Sequence, residues 1–194
     1  MKLLAVTVAL IAFAVSASGE DKKAEPPVKL KLVAKTDKYT FDGNGKAPAE
    51  FKTYLEEIAQ AQKDGKPAQP PRPPAVDLVL EIVNTSKDEV TIYVGGDANT
   101  WTFDLTGGDG TVNLGSGLAM TLEFRLPKAV TLAPGKSHEI PVKRLSDGAR
   151  GAGRYVYWTG PGEYKLSAKY TISDKDGEKA YELKSEPVKI TVEK

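Results

Sequence analysis

From Val76 to Asn84 apolar positions recur with a period of two, Val76, Leu78, Leu80 and Ile82 sharing one face. That period predicts a strand. Val79 and Val83 on the opposite face place it in the middle of a sheet, covered on both sides. The polar run Asn84–Asp88 reads as a turn into a second strand, Glu89–Val94. Val28–Leu32 alternates in the same way, Tyr39–Phe41 continues the strand region, and Asp42–Gly45 is a turn cluster. Thr100–Leu105, Ala119–Leu126, Ser137–Val142, Glu163–Ile172 and Ala180–Val192 are the remaining strands, the last divided near Pro187. Gly107–Gly110, Ala133–Gly135 and Asp174–Gly177 separate them. Short strands with turns at roughly 8–12-residue spacing predict an all-β, antiparallel sandwich.

One segment breaks this pattern. Phe51, Tyr54, Leu55, Ile58 and Gln62 fall at helical spacing behind Pro48, which suits the first position of a helix, and Asp64-Gly65 ends it. The apolar stripe is narrow, so the helix is expected outside the sandwich or across one of its ends. Lys66–Ala75 holds five prolines in ten residues and must be extended. Its PPRPP core resembles a ligand for proline-recognition domains, but a stiff spacer returning the chain to the sheet explains it as well. Residues 47–75 thus form one short helical insertion and a proline-rich linker.

The N-terminus adds a location. Lys2, the apolar run Leu3–Val15 and the small residues Val15-Ser16-Ala17 fit a secretory signal peptide over residues 1–17, cleaved after Ala17. Ser18–Pro27 reads as a flexible leader, and residues 28–194 as a single sandwich domain. The apolar run is shorter than the roughly 20 residues of a membrane span, so no stable membrane insertion is expected after cleavage. An exported chain without cysteine has neither disulfides nor thiol chemistry, which suits a bacterial periplasmic or extracellular protein. Lys and Arg number 27 against 26 Asp and Glu. That balance argues against nucleic acid as a partner, since phosphate binding needs a basic surplus.

Two resemblances sharpen the fold. Gly160-Pro161-Gly162-Glu163-Tyr164 opens an amphipathic strand and looks like the tyrosine corner of immunoglobulin-like domains. Leu132–Ile140, a turn feeding a short strand, resembles the segment that precedes this corner in bacterial immunoglobulin-like modules. The expectation is therefore an immunoglobulin-like Greek-key sandwich. Val76–Leu105, with its Asn-containing turn and the TWTFDL strand, resembles the intracellular proteinase inhibitor domain of bacilli over residues 76–142. The resemblance implies a small β-sandwich and a protruding inhibitory loop, Gly107–Gly117 or Ser146–Gly153. The export signal, the insertion and the longer C-terminal β region depart from that family.

Catalytic equipment is not legible. His138 is the sole histidine, and Ser137 beside it points to the other face of its strand. Gly115-Ser116-Gly117 lacks the spacing of a nucleophile elbow. One histidine and no cysteine exclude the usual zinc sites. Asp42–Gly45, Asp174–Glu178 and the group Asp97, Asn99, Asp104 and Asp109 offer oxygens for calcium, but none continues into a twelve-residue calcium loop, and no metal or cofactor is expected. The sequence points to no enzyme.

The binding surface it suggests is Arg144–Trp158, a glycine-rich connection carrying Arg144, Arg150, Arg154, Tyr157 and Trp158 together with Tyr155. Arg, Tyr and Trp dominate interface hot spots. The same aromatics could instead be core residues at a sheet edge. Three functions follow: an exported binding or structural module acting through contacts with another envelope or extracellular protein, a carbohydrate-binding module with Trp158, Tyr157 or Trp101 as a flat glycan platform, or a proteinase inhibitor.

Overall fold

The computed structural model describes residues 26–116, 124–149 and 152–194. The expected signal peptide, most of the expected leader, most of the expected Ala119–Leu126 strand and Arg150 lie outside the described residues.

Alternation dictates the first sheet. β1 (Val28–Ala34) buries Val28, Leu30 and Leu32 and exposes Lys29 and Lys31 between them. It pairs antiparallel with β3 (Ala75–Asn84), which pairs in turn with β8 (Ser137–Arg144). β3 is central, as its two apolar faces require, with Val79 buried on the outer face.

The second sheet is organised by the long strand β11 (Gly162–Ser173). Along one edge lie β13 (Val188–Glu193), opposite Gly162–Leu166, and β12 (Lys179–Lys184), opposite Lys169–Ser173. Along the other lie β5 (Thr100–Gly107), opposite Tyr164–Thr171, and β4 (Val90–Val94), which meets β11 at Ser173. β7 (Lys128–Leu132) extends the sheet beyond β4, and β2 (Lys38–Thr40) joins β13 in parallel. β12 and β13 therefore continue one another along β11. The C-terminal region is thus one line of pairing along β11, divided near Pro187 as its sequence predicts.

The two sheets close on one core. Leu30, Leu78, Leu80, Ile82 and Val142 from the first meet Ile92, Phe103, Leu105, Leu166, Tyr170 and Ile190 from the second. Each such side chain contributes about 1.5–3 kcal/mol by leaving water. The opening strand is shared between the sheets, β1 antiparallel to β3 and β2 parallel to β13. The chain crosses from the first sheet to the second between β3 and β4 and, after returning between β7 and β8, again between β8 and β11. At the second crossover the Tyr164 hydroxyl donates to Gly160 O at 2.7 Å, which closes the tyrosine corner. Strand order and corner together define an immunoglobulin-like Greek-key β-sandwich.

Gly108 shows how tightly that corner is packed. Its φ is +51°, and a Cβ there would lie 2.2 Å from Tyr164 Cζ. The GGDG cluster is thus a packing requirement as well as a turn.

A smaller lobe stands on one end. β6 (Thr111–Gly115), β10 (Ala152–Trp158) and β9 (Ser146–Ala149) form a three-stranded sheet in the order β6-β10-β9. Against it packs α1 (Pro48–Lys63), through Phe51, Leu55 and Ile58 onto Leu114 and Tyr157. The Glu50 carboxylate accepts the Ala47 N–H at the start of α1, and Gly65 at φ +70° follows its end. The Gln62 amide also bonds both backbone groups of Gly115 on the edge of β6, at 2.9 and 3.0 Å. Helix and sheet come from separate insertions, between β2 and β3, β5 and β7, and β8 and β11.

This lobe corrects the reading of Arg144–Trp158 as a loop. Most of that segment is the β9–β10 hairpin. Likewise, Thr111–Gly115 of the first candidate inhibitory loop and Ser146–Ala149 of the second are paired strands. Asn84 organises the turn between β3 and β4. It is 1% exposed, its Nδ2 donates to Asp88 O and Leu132 O at 2.8 Å, and its Oδ1 accepts from Ser86.

Candidate functional site

Where lobe and sandwich meet there is a cleft of about 580 Å³. Tyr39 and Thr40 of β2 and the turn residues Asp42 and Asn44 form one side, and Pro71–Ala75 the other. Phe51, Tyr157 and Trp158 lie beneath, with Arg144 at the end of β8.

Aromatic packing builds the floor. Trp158 stacks at a tilt on Tyr39, with ring centroids 5.6 Å apart, and on Tyr164 at 6.4 Å. Tyr157 meets Phe51 edge-on at 6.3 Å, and Phe51 meets Phe41 at 5.8 Å. These offset and T-shaped contacts are the favoured geometries of aromatic rings. They join the lobe core to the sandwich core and fix Trp158 at the base of the cleft.

The proline wall is docked rather than free. Tyr157 donates its hydroxyl to Pro71 O at 2.6 Å, Arg144 donates Nη1 to Pro73 O at 3.1 Å, and Leu145 donates its N–H to Pro74 O at 3.0 Å. Burial raises the Tyr157 hydroxyl well above its usual range, so it stays a donor. The lining carries two guanidinium groups, Arg72 and Arg144, and one carboxylate, Asp42, whose Oδ1 accepts the Asn44 N–H.

Of the sequence candidates, the fold brings Arg144, Tyr157 and Trp158 together here. Tyr157 and Trp158 are 1% and 3% exposed, so they form a floor and not a projecting surface. Arg154 belongs elsewhere. Its Nε and Nη2 clasp the Asp147 carboxylate at 2.9 and 2.7 Å, and Nη2 also donates to Phe103 O. The hydrogen bond to Asp147 raises the guanidinium above its ordinary value. Asp147 Oδ2 accepts the Phe103 N–H as well, so the pair fastens the β9–β10 hairpin to β5. Arg150 lies outside the described residues.

Trp101 is half-buried, stacked within 5° of parallel on Tyr170, and donates Nε1 to Ser146 O at 3.2 Å. Of the three aromatics named for a glycan platform it alone keeps appreciable surface. Asp174 spends its carboxylate on the N–H groups of Asp176 and Glu178, which makes it a turn organiser. Sequence reasoning missed Tyr39, Thr40, Asn44 and Arg72. The one signal available for them was an arginine set inside a proline run.

No protein-family model and no curated protein matches the chain. Among solved structures it is similar to native alpha-2-macroglobulin from Escherichia coli, in a crystal structure spanning domain MG7 to the C-terminus. That likeness has 17% identity and a TM-score of 0.25, and covers 60% of this chain and 14% of the other. The fold assignment rests on strand order and the tyrosine corner.

Proposed function

We propose that this protein is a non-catalytic, exported binding module that engages another envelope or extracellular protein through the cleft between lobe and sandwich. The observation that carries the reading is the cleft's construction. Separate insertions converge to make a concave site, its floor locked by aromatic packing and its wall by three hydrogen bonds. Recognition surfaces on sandwich folds commonly sit in connections held by a rigid scaffold. The lining brings hydroxyls from Thr40 and the two tyrosines and positive charge from Arg72 and Arg144, groups suited to holding a partner. Export is inferred from residues 1–17, and among the described residues no helix is long and apolar enough to cross a membrane.

The test is capture of partners from envelope and culture fractions by the tagged protein and by Thr40→Trp, which fills the cleft mouth. A discrete partner retained by the parent and lost from the variant supports the reading. Equal retention by both would place the interaction elsewhere. N-terminal sequencing of the protein recovered from whole cells and medium should begin at Ser18; an intact Met1 on protein found only inside the cells would sink the export claim.

A further inference from the structure

The cleft's lining favours hydrogen-bond donors over acceptors: it holds two guanidinium groups against one carboxylate, Asp42, one of whose oxygens already accepts the Asn44 N–H. Pro71, Pro73 and Pro74 have no N–H to offer. Their carbonyl oxygens are engaged by Tyr157, Arg144 and Leu145. The Tyr39 hydroxyl is spent as well, donating to Thr36 O and accepting the Asp77 N–H.

The donors, by contrast, are open. Trp158 is only 3% exposed and its indole N–H has no hydrogen-bond partner. Yet no buried side-chain nitrogen or oxygen among the described residues is unsatisfied. The indole N–H therefore retains some exposure to solvent, and Trp158 borders the cleft. Arg144 uses one N–H on Pro73 O, and Arg72 makes no hydrogen bond or ion pair.

Resting on the reading of this cleft as the binding surface, we propose that it recognises a carboxylate on an acidic peptide segment, with Trp158, Arg144 and Arg72 as the donors. Guanidinium forks match the planar carboxylate in two parallel bonds, and such charge-assisted bonds are about twice as strong as neutral ones. The proline and aromatic surface around them suits the apolar stems of the same peptide. The volume exceeds what one carboxylate fills, which leaves room for its neighbouring residues.

The chain's two tryptophans give the test its readout. Trp158 sits in the cleft, whereas the Trp101 indole is bonded to Ser146 O outside it and serves as reference. ¹⁵N-labelled protein is titrated with hexaglutamate, hexaglutamine and a heparin hexasaccharide while both indole signals are followed. Hexaglutamate should move the Trp158 signal saturably and leave Trp101 in place, and hexaglutamine should move neither. Arg72→Gln, which breaks no hydrogen bond or ion pair among the described residues, should weaken hexaglutamate binding at least fivefold, and Arg144→Gln more. Unchanged affinity in Arg72→Gln overturns the proposal. So does an equal response to hexaglutamine, which would mean peptide binding without charge recognition and leave the cleft reading intact. A response to heparin alone assigns the site to a sulfated polysaccharide and overturns it too. Silence with every probe also overturns it, while loss of the captured partner in Thr40→Trp would still uphold the cleft.

Discussion

Asp147 is a carboxylate with no exposed side-chain surface, held by the Phe103 N–H and by two guanidinium nitrogens of Arg154. Asp77 and Lys143 also form an ion pair, but their side chains are 50% and 70% exposed. Burial decides which pair matters, since removing one partner of a buried pair strands the other, whereas exposed pairs contribute little. Asp147→Asn should cost about 2–4 kcal/mol in urea unfolding, and Asp77→Asn less than about 0.5 kcal/mol. Comparable losses would refute that distinction. Tyr164→Phe should cost about 1–2 kcal/mol, because Gly160 O loses its buried donor.

Burial also raises the hydroxyls of Tyr157, Tyr164 and Tyr170, the last to about 12 from 10.0. The neutral form is favoured in the fold, so this stability is fully present below pH 10. It is lost as the pH climbs toward 12, because the unfolded tyrosines ionise first. The slope is about 1.4 kcal/mol per pH unit for each protected tyrosine. Urea midpoints measured from pH 8 to 12 should hold to pH 10 and then fall; a flat profile would contradict the burial of these hydroxyls.

At the level of elements, α1 is held to the molecule by Phe51, Leu55 and Ile58 rather than by its own propensity, as for most helices of this length. Leu55→Ala should cost about 2–4 kcal/mol and raise amide exchange first in α1 and β6. Uniform loss of protection across β3 and β11 would show that lobe and sandwich unfold as one. The elements legible in the sequence are those whose own period matched their burial. β1, β3, β11 and α1 are such cases, and the proline segment was fixed by composition. β6 and β7 were missed, since Thr111–Gly115 and Lys128–Leu132 are five residues each, alternate over only two apolar positions (Val112 and Leu114, Val130 and Leu132) and bury a single leucine fully. The β9–β10 hairpin read as a loop because its glycines resemble a connection, while its order comes from Asp147 and from pairing with β6. The cleft was half legible. Arg144, Tyr157 and Trp158 share one segment, but Tyr39, Asn44 and Arg72 reach them only through the β2–β13 pairing and the docked prolines, which are tertiary facts.

Across the whole molecule, β3 sets the distance between two ends. Its ten residues span about 33 Å, with Arg72 just before its start and Lys87 just beyond its finish. A partner seated in the cleft touches the first end and leaves the second bare. The most direct measurement places a photo-crosslinking residue at position 72 in one variant and at position 87 in another, and irradiates each in envelope and culture fractions. The account predicts a discrete crosslinked species from position 72, abolished by Thr40→Trp, and none from position 87. Crosslinking from position 87 alone, or from neither position, would contradict it.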